Sequence, residues 1–164
     1  MLKRFLATAA TVAVMSSTAY AAEICQREGN LTAYFVRQLQ TDLMVASLSC
    51  DAKDQYNAFV TRFNEVLIAN GQTLKATFNK RFGSQATDEL NDYVTMLANL
   101  SSIDSLSAGA KYCVEQKQAF ARVLAVSPGG LESFALKWWK DSRELPETDC
   151  RVVADLSSLK IAAQ

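Results

Sequence analysis

Four cysteines are the residues whose chemistry the sequence defines most clearly. No two of them form a C-x-x-C pair and the chain has no histidine, so the usual ligand spacing for zinc is missing. An even number of cysteines in an exported chain is typical of disulfides. We therefore predict two disulfides and no metal site, with all four thiols paired: Cys25, Cys50, Cys113 and Cys150.

The absence of histidine also bears on catalysis. It removes Ser–His–Asp and Cys–His nucleophilic systems, and C-x-x-C-H haem attachment. The nucleophile elbow G-x-S-x-G, the Walker A motif and the dinucleotide fingerprint G-x-G-x-x-G do not occur. We predict a protein that is not an enzyme, with no catalytic residues and no cofactor.

Two acids four residues apart, Asp88 and Asp92, are the strongest carboxylate pair for cation binding or acid–base chemistry. Thr95 and Asn99 continue the same line along a predicted helix. A solvated polar face has the same pattern, and nearly every amphipathic helix has one. We favour that structural interpretation over a site.

Adjacent tryptophans between two lysines form a second candidate site. Neighbouring helical residues point about 100° apart, so both rings cannot enter one core slot. Trp138 continues an apolar stripe and is assigned to the core. Trp139, with Lys137 and Lys140, is a possible partner-binding group. The alternative, which we favour, is that Trp139 packs beneath the C-terminal tail.

The N-terminus has the three parts of a secretory signal peptide. Lys3 and Arg4 precede an uncharged run from Phe5 to Met15, and Ala19-Tyr20-Ala21 gives an A-x-A cleavage site. The apolar run is too short to cross a bilayer, which needs about 20 residues. We predict that residues 1–21 are removed and that the mature protein resides in the bacterial periplasm or is secreted.

The charge balance limits the class of partner. Cleavage would leave 15 basic and 17 acidic residues in the mature chain, a net charge of −2. Nucleic-acid binding requires a clustered positive face, and a polybasic membrane binder requires an excess of lysine and arginine. The composition therefore argues against nucleic acid and gives no reason to expect a stable membrane anchor.

Helical periodicity dominates the mature chain, which predicts one all-α domain over 22–164. Apolar residues recur at i, i+3 and i+4, whereas strand-like alternation is scarce. The breaks predict a five- to six-helix up-down bundle, with Asn30 and Asp51 as N-caps of the first two helices. The predicted helices cover about 31–48, 51–70, a short third helix that stops at Gly83, a fourth opened by Ser84 or Thr87, 107–126 and 131–140.

The bundle geometry ranks the possible disulfides. One helix separates Cys25 from Cys50 by about 30–37 Å, which is too far for a bridge. Alternating helix directions place the start of the fifth helix beside Cys25, which predicts Cys25–Cys113 and Cys50–Cys150. This ranking depends on the short third helix: if it continues the second helix, the ends exchange.

The functional expectation is a non-enzymatic interaction or structural module of the bacterial envelope, with another envelope protein as its partner. It depends on a disulfide-stapled helical scaffold without recognisable catalytic motifs. The alternative is a protein that binds a small apolar ligand between the aromatic-rich second, third and sixth helices. The sequence leaves the oligomeric state open.

Overall fold

The computed structural model describes residues 28–142, which are almost entirely helical and contain no β-strand. The prediction of an all-α chain is confirmed for this part. The predicted signal peptide, Cys25 and Cys150 lie outside the described residues. Short 3-10 segments occupy Gly83–Gln85 and Pro128–Gly130. The helices are α1 (Glu28–Ser49), α2 (Lys53–Arg62), α3 (Asn64–Phe82), α4 (Ala86–Ala108), α5 (Ala110–Leu124) and α6 (Leu131–Ser142).

Helix α1 is the central helix of the bundle, and it packs against each of the other helices from α2 to α6. Leu39 and Leu43 are completely buried, as the predicted apolar stripe requires. Polar residues on other sides of α1 are buried too, among them Gln38 and Thr41. The apolar periodicity of the sequence therefore predicts a smaller buried surface for α1 than the structure shows.

The break expected at Asn70-Gly71 does not occur, because α3 runs through both residues. Asn70 does not end a helix: its buried side-chain amide donates to the Val66 carbonyl at 2.9 Å and to Glu132 Oε1 at 2.8 Å. The break lies earlier, at Phe63, whose ring is completely buried. Helices α2 and α3 thus follow one another across a single non-helical residue.

Contacts along α1 define the course of α4. The Tyr34 ring meets the Tyr93 ring with centroids 5.4 Å apart, and further along Asp42 accepts a hydrogen bond from Ser101. Residues later in α1 thus meet residues later in α4, so the two helices run parallel. The last turn of α1 consequently lies near the junction of α4 and α5.

The structure joins Cys50 to Cys113 by a disulfide with a Cα–Cα distance of 5.3 Å. The predicted pairs Cys25–Cys113 and Cys50–Cys150 are therefore wrong. The prediction failed because the chain continues in the same direction through Gly71 instead of reversing there. Each later helix therefore begins at the end of the bundle opposite to the expected one. The disulfide places the end of α1 beside the first turn of α5.

The helix termini also differ from the sequence prediction. Helix α1 begins at Glu28, so Asn30 is inside the helix rather than its N-cap. Asp51 adopts a left-handed φ of 52° in the turn before α2, and Ala52 takes the N-cap position. Gly109, with a φ of 53°, separates α4 from α5. The fifth predicted helix therefore begins three residues later than expected, at Ala110.

The core has two parts. The larger is centred on α1, α2, α5 and α6 and contains completely or almost completely buried side chains such as Phe59, Phe120 and Leu131. The smaller lies between α1, α3 and α4 and is rich in aromatic rings. None of the helices within residues 28–142 has the length and apolar character required to cross a membrane.

Candidate functional site

The carboxylate of Asp42, half-buried in the middle of α1, receives hydrogen bonds from two neighbouring helices. Its Oδ1 accepts hydrogen bonds from Gln38 Nε2 at 2.7 Å and from the Ser101 hydroxyl. Its Oδ2 accepts from the indole Nε1 of Trp138 at 3.3 Å. One side chain therefore links α1 to both α4 and α6.

These donors have a clear physical role. A carboxylate removed from water requires compensation, and hydrogen bonds to a charged group contribute roughly 1.5–3 kcal/mol each. The Arg122 guanidinium lies over the Trp138 ring, 5.6 Å from its centroid, and adds a positive group beside the network. The arrangement orients α6 and leaves both Asp42 oxygens engaged, which suits a structural role.

Sequence reasoning did not single out Asp42. The usable signal was local: Gln38 and Asp42 stand four residues apart, a spacing that allows a side-chain hydrogen bond on a helix. Both lie next to residues that are completely buried, Leu39 and Leu43. Polar residues embedded in an apolar helix indicate a second covered face, but only the fold shows that Ser101 and Trp138 cover it.

Tyr112, on α5, is a second unusual polar group. It is 6% exposed, and its hydroxyl has no hydrogen-bond partner in the part of the chain described. Burial raises the pKa of Tyr112 to about 12, with smaller contributions in the same direction from the negative charges of Asp42 and Asp104. The phenol therefore stays protonated at neutral pH and is unsuited to act as a general base.

The two tryptophan rings contact different neighbours, as expected for adjacent residues of a helix. The burial predicted for Trp138 needs correction. Trp138 packs against the larger core but is only half-buried, and its indole nitrogen donates to Asp42. Trp139 is also half-buried, and its ring contacts that of Phe35 with centroids 4.6 Å apart. Lys137 is exposed, whereas the Lys140 side chain lies outside the described part. Contact with α1 therefore occupies part of the Trp139 ring.

The carboxylate pair on α4 lies at the surface. Asp88 and Asp92 are both exposed, as the solvated-face interpretation expects. Within residues 28–142, no group of three or more histidine, cysteine, aspartate or glutamate side chains is arranged to hold a metal ion. The pair is thus one of several acidic groups on the outer side of the bundle.

The disulfide end, defined as the end of the bundle that contains Cys50, Gly109 and Cys113, exposes large aliphatic side chains. Leu48 lies two residues before Cys50, and Val114 directly follows Cys113. Two more residues occupy the last turns of α4. The exposed fractions are 68% for Leu48, 60% for Ile103, 84% for Leu106 and 59% for Val114. Large exposed aliphatic groups of this kind are candidates for contact with another surface.

The aromatic residues of the smaller core pack against each other. The Phe78 ring lies 5.4 Å from that of Phe82 and 5.7 Å from that of Tyr93, measured between centroids. Tyr34 contacts two of these rings as well. Mutual packing gives these side chains a structural role, so they provide no specific support for the alternative of an apolar ligand.

Comparison with protein-family models, with curated proteins and with solved structures gave no match to this chain.

Proposed function

We propose that this protein is an exported, non-enzymatic interaction module of the bacterial envelope, with residues 1–21 as its cleaved signal peptide. The Cys50–Cys113 disulfide supports an oxidising compartment, because structural disulfides persist outside the cytosol. The sequence supports the periplasm as that compartment through the order of charged, apolar and small residues before Ala22.

The observation that carries the interaction role is the set of exposed aliphatic side chains at the disulfide end. Leu48 and Val114 flank the two bridged cysteines, and Ile103 and Leu106 lie on the adjoining end of α4. A covalent bridge holds the helices that present them, so little conformational entropy is lost when a partner binds. Such preorganisation favours recognition.

Export is tested first by mass. The full-length protein, expressed with its own N-terminus, should be recovered from the periplasmic fraction with Ala22 as its first residue. Its mass should correspond to cleavage after Ala21 with no free thiol. Recovery from the cytosol with Met1 retained and thiols that react with an alkylating reagent would contradict the proposal.

The interaction role is tested by cross-linking in the native envelope, followed by mass spectrometry of the purified complex. The expected result is one protein partner whose cross-links map to a single face of the bundle. A monomer without cross-links would contradict this role. A co-purified small molecule would instead support the apolar-ligand alternative.

Trp139 with Lys137 and Lys140 remains the second candidate surface. Because its ring already contacts Phe35, truncation of Trp139 affects packing as well as any partner. A Trp139→Phe variant retains the ring contact and should fold normally. If it also retains partner capture while Leu106→Ser loses it, the disulfide end is the interaction face. If Trp139→Phe loses partner capture while Leu106→Ser retains it, the partner binds at the surface around Trp139.

A further inference from the structure

We propose that Tyr112 and Gln116 together bind one ordered water molecule inside the bundle, and that this water is a fixed part of the fold. The two side chains stand four residues apart on α5 and therefore share one side of that helix. The Tyr112 hydroxyl and Gln116 Oε1 are both buried, and neither has a hydrogen-bond partner among the described residues. We call this pair of polar atoms the α5 hydration site.

Gln116 occupies a position of α5 that faces the core. The buried residues of this helix are Tyr112, Ala119, Phe120 and Val123. Gln116 lies four residues after Tyr112 and four before Phe120, so it belongs to the same side of the helix. An apolar side chain is the usual occupant of such a position. The half-buried Gln116 instead brings a polar acceptor into the buried stripe that contains the Tyr112 hydroxyl.

Two buried polar atoms without partners would be costly for the folded chain. A buried donor or acceptor gives up its hydrogen bonds to bulk water on folding, and this loss requires compensation. Native proteins compensate by pairing buried polar groups with protein atoms or with ordered water. Tyr112 is only 6% exposed, so bulk solvent contributes little to its hydroxyl. A bound small molecule that pairs with both atoms removes the cost.

The chemistry of the two atoms selects water as that molecule. Because burial raises the pKa of Tyr112 to about 12, the phenol is protonated at neutral pH and its O–H needs an acceptor. Gln116 Oε1 is a carbonyl oxygen and needs a donor. One water satisfies both, since its oxygen accepts from Tyr112 while one of its protons is donated to Gln116. An ammonium group accepts no hydrogen bond and would leave the phenol proton unpaired.

Two carboxylates favour one orientation of this water. The negative charges of Asp42 and Asp104 both act on the Tyr112 phenol, so both carboxylates lie near it. Asp104 follows Ser101 by three residues, which puts it towards the side of α4 that meets Asp42 of α1. The negative potential of these groups attracts the second proton of the water. The site thus offers two hydrogen-bond partners and a favourable field, as buried water requires.

A crystal structure of the mature protein, at a resolution that shows ordered water, tests the site without any substitution. The expected result is a water within hydrogen-bond distance of both the Tyr112 hydroxyl and Gln116 Oε1. A direct hydrogen bond between these two side chains would overturn the proposal, as would a protein group paired with either atom.

Magnetic relaxation dispersion of the water signal counts long-lived internal waters in solution. Tyr112→Phe and Gln116→Leu should each lower the count by one water, because either substitution removes one of the two partners. Thr41→Val is the matched control: the Thr41 hydroxyl is also buried but donates to the Arg37 carbonyl at 2.9 Å, so its removal should leave the count unchanged. Counts unaltered by Tyr112→Phe and Gln116→Leu would overturn the proposal.

The double variant distinguishes one shared water from two separate ones. Tyr112→Phe combined with Gln116→Leu should lose no more water than either single variant, whereas a loss of two waters would overturn the shared site. Saturable binding of isotope-labelled ammonium that Tyr112→Phe abolishes would assign the site to a cation and also overturn the proposal. Circular dichroism confirms that each variant is folded. The unfolding free energy is not the readout, because the entropy regained by the released water opposes the loss of its hydrogen bonds.

Discussion

At the scale of single residues, the Asp42 carboxylate carries a negative charge into the space between α1, α4 and α6. Hydrogen bonds donated by Gln38, Ser101 and Trp138 stabilise it there. Those donors in turn depend on it as their acceptor. Asp42 therefore affects how α4 and α6 pack on the central helix, although it is absent from the apolar core.

Replacing Asp42 with alanine should lower the free energy of unfolding by about 2–3 kcal/mol, because the substitution leaves buried donors without this acceptor. Urea denaturation followed by tryptophan fluorescence measures the change, since Trp138 reports on the same contact. Asp104→Ala, an exposed acid on α4, is the control and should change stability by less than about 0.5 kcal/mol. Equal effects of the two substitutions would show that the network contributes nothing specific.

Tyr112 gives the protein a predictable response to alkali. Its pKa is raised from 10.0 to about 12 in the folded protein, mainly by burial. Between these pH values the unfolded chain releases the proton while the folded chain keeps it, so stability falls as pH rises from about 10 to about 12. Below that interval Tyr112 contributes no pH dependence.

The Tyr112→Phe variant tests this assignment. It removes a buried hydroxyl that lacks a partner, so it should leave the protein equally stable or about 1 kcal/mol more stable at neutral pH. Its stability should also decline less steeply above pH 10 than that of the unmodified protein. Unfolding curves at a series of pH values, with tyrosinate absorbance as an independent readout, would reveal an unchanged alkaline decline and thereby contradict the assignment.

At the scale of helices, two glycines show why a glycine in the sequence does not by itself locate the end of a helix. Gly109 has a left-handed φ of 53° and ends α4, whereas Gly71 is an ordinary helical residue in α3. The helices predicted from the sequence end before Gly71 and run through Gly109, the opposite of what the structure shows at both positions. Only the backbone conformation distinguishes a glycine that a turn requires from one that a helix tolerates.

The two glycines should respond in opposite ways to alanine. Gly71→Ala should stabilise the protein by about 0.5–1 kcal/mol, because alanine favours the helix and its added carbon would lie 3.8 Å from the Arg37 guanidinium, an ordinary contact. Gly109→Ala should destabilise it by about 1–2 kcal/mol through the left-handed backbone. Thermal unfolding compares the pair, and stabilisation by both substitutions would refute the argument.

Most of the helical content followed from periodicity, but the positions that determine the course of the chain did not. The sixth predicted helix, 131–140, corresponds closely to α6 (Leu131–Ser142), since its apolar spacing and the Pro128 turn agree. The Phe63 break has no glycine or proline to mark it. The Phe63 ring is completely buried in the larger core, and burial of this kind is tertiary information that local patterns do not contain.

For the whole molecule, one misplaced break changed the predicted cysteine pairing. Ending the second helix at Gly71 adds a reversal of direction, which moves the start of α5 to the wrong end of α1. With that reversal removed, α4 runs parallel to α1 and Cys113 reaches Cys50. Disulfide connectivity therefore depends on the number of reversals, a global property that the spacing of the cysteines does not encode.

The Cys50–Cys113 bridge is expected to be the largest single contribution to stability that one substitution pair can remove. It joins residues 63 positions apart, and the chain-entropy argument assigns about 4 kcal/mol to a loop of that length. The double variant Cys50→Ser with Cys113→Ser should lower the unfolding free energy by about that amount, measured by urea denaturation. Non-reducing peptide mapping of the unmodified protein should link the Cys50 and Cys113 peptides, which leaves Cys25 with Cys150. Recovery of a Cys25–Cys113 peptide, together with a double variant as stable as the parent, would show that the bundle is assembled with the opposite order of helix ends.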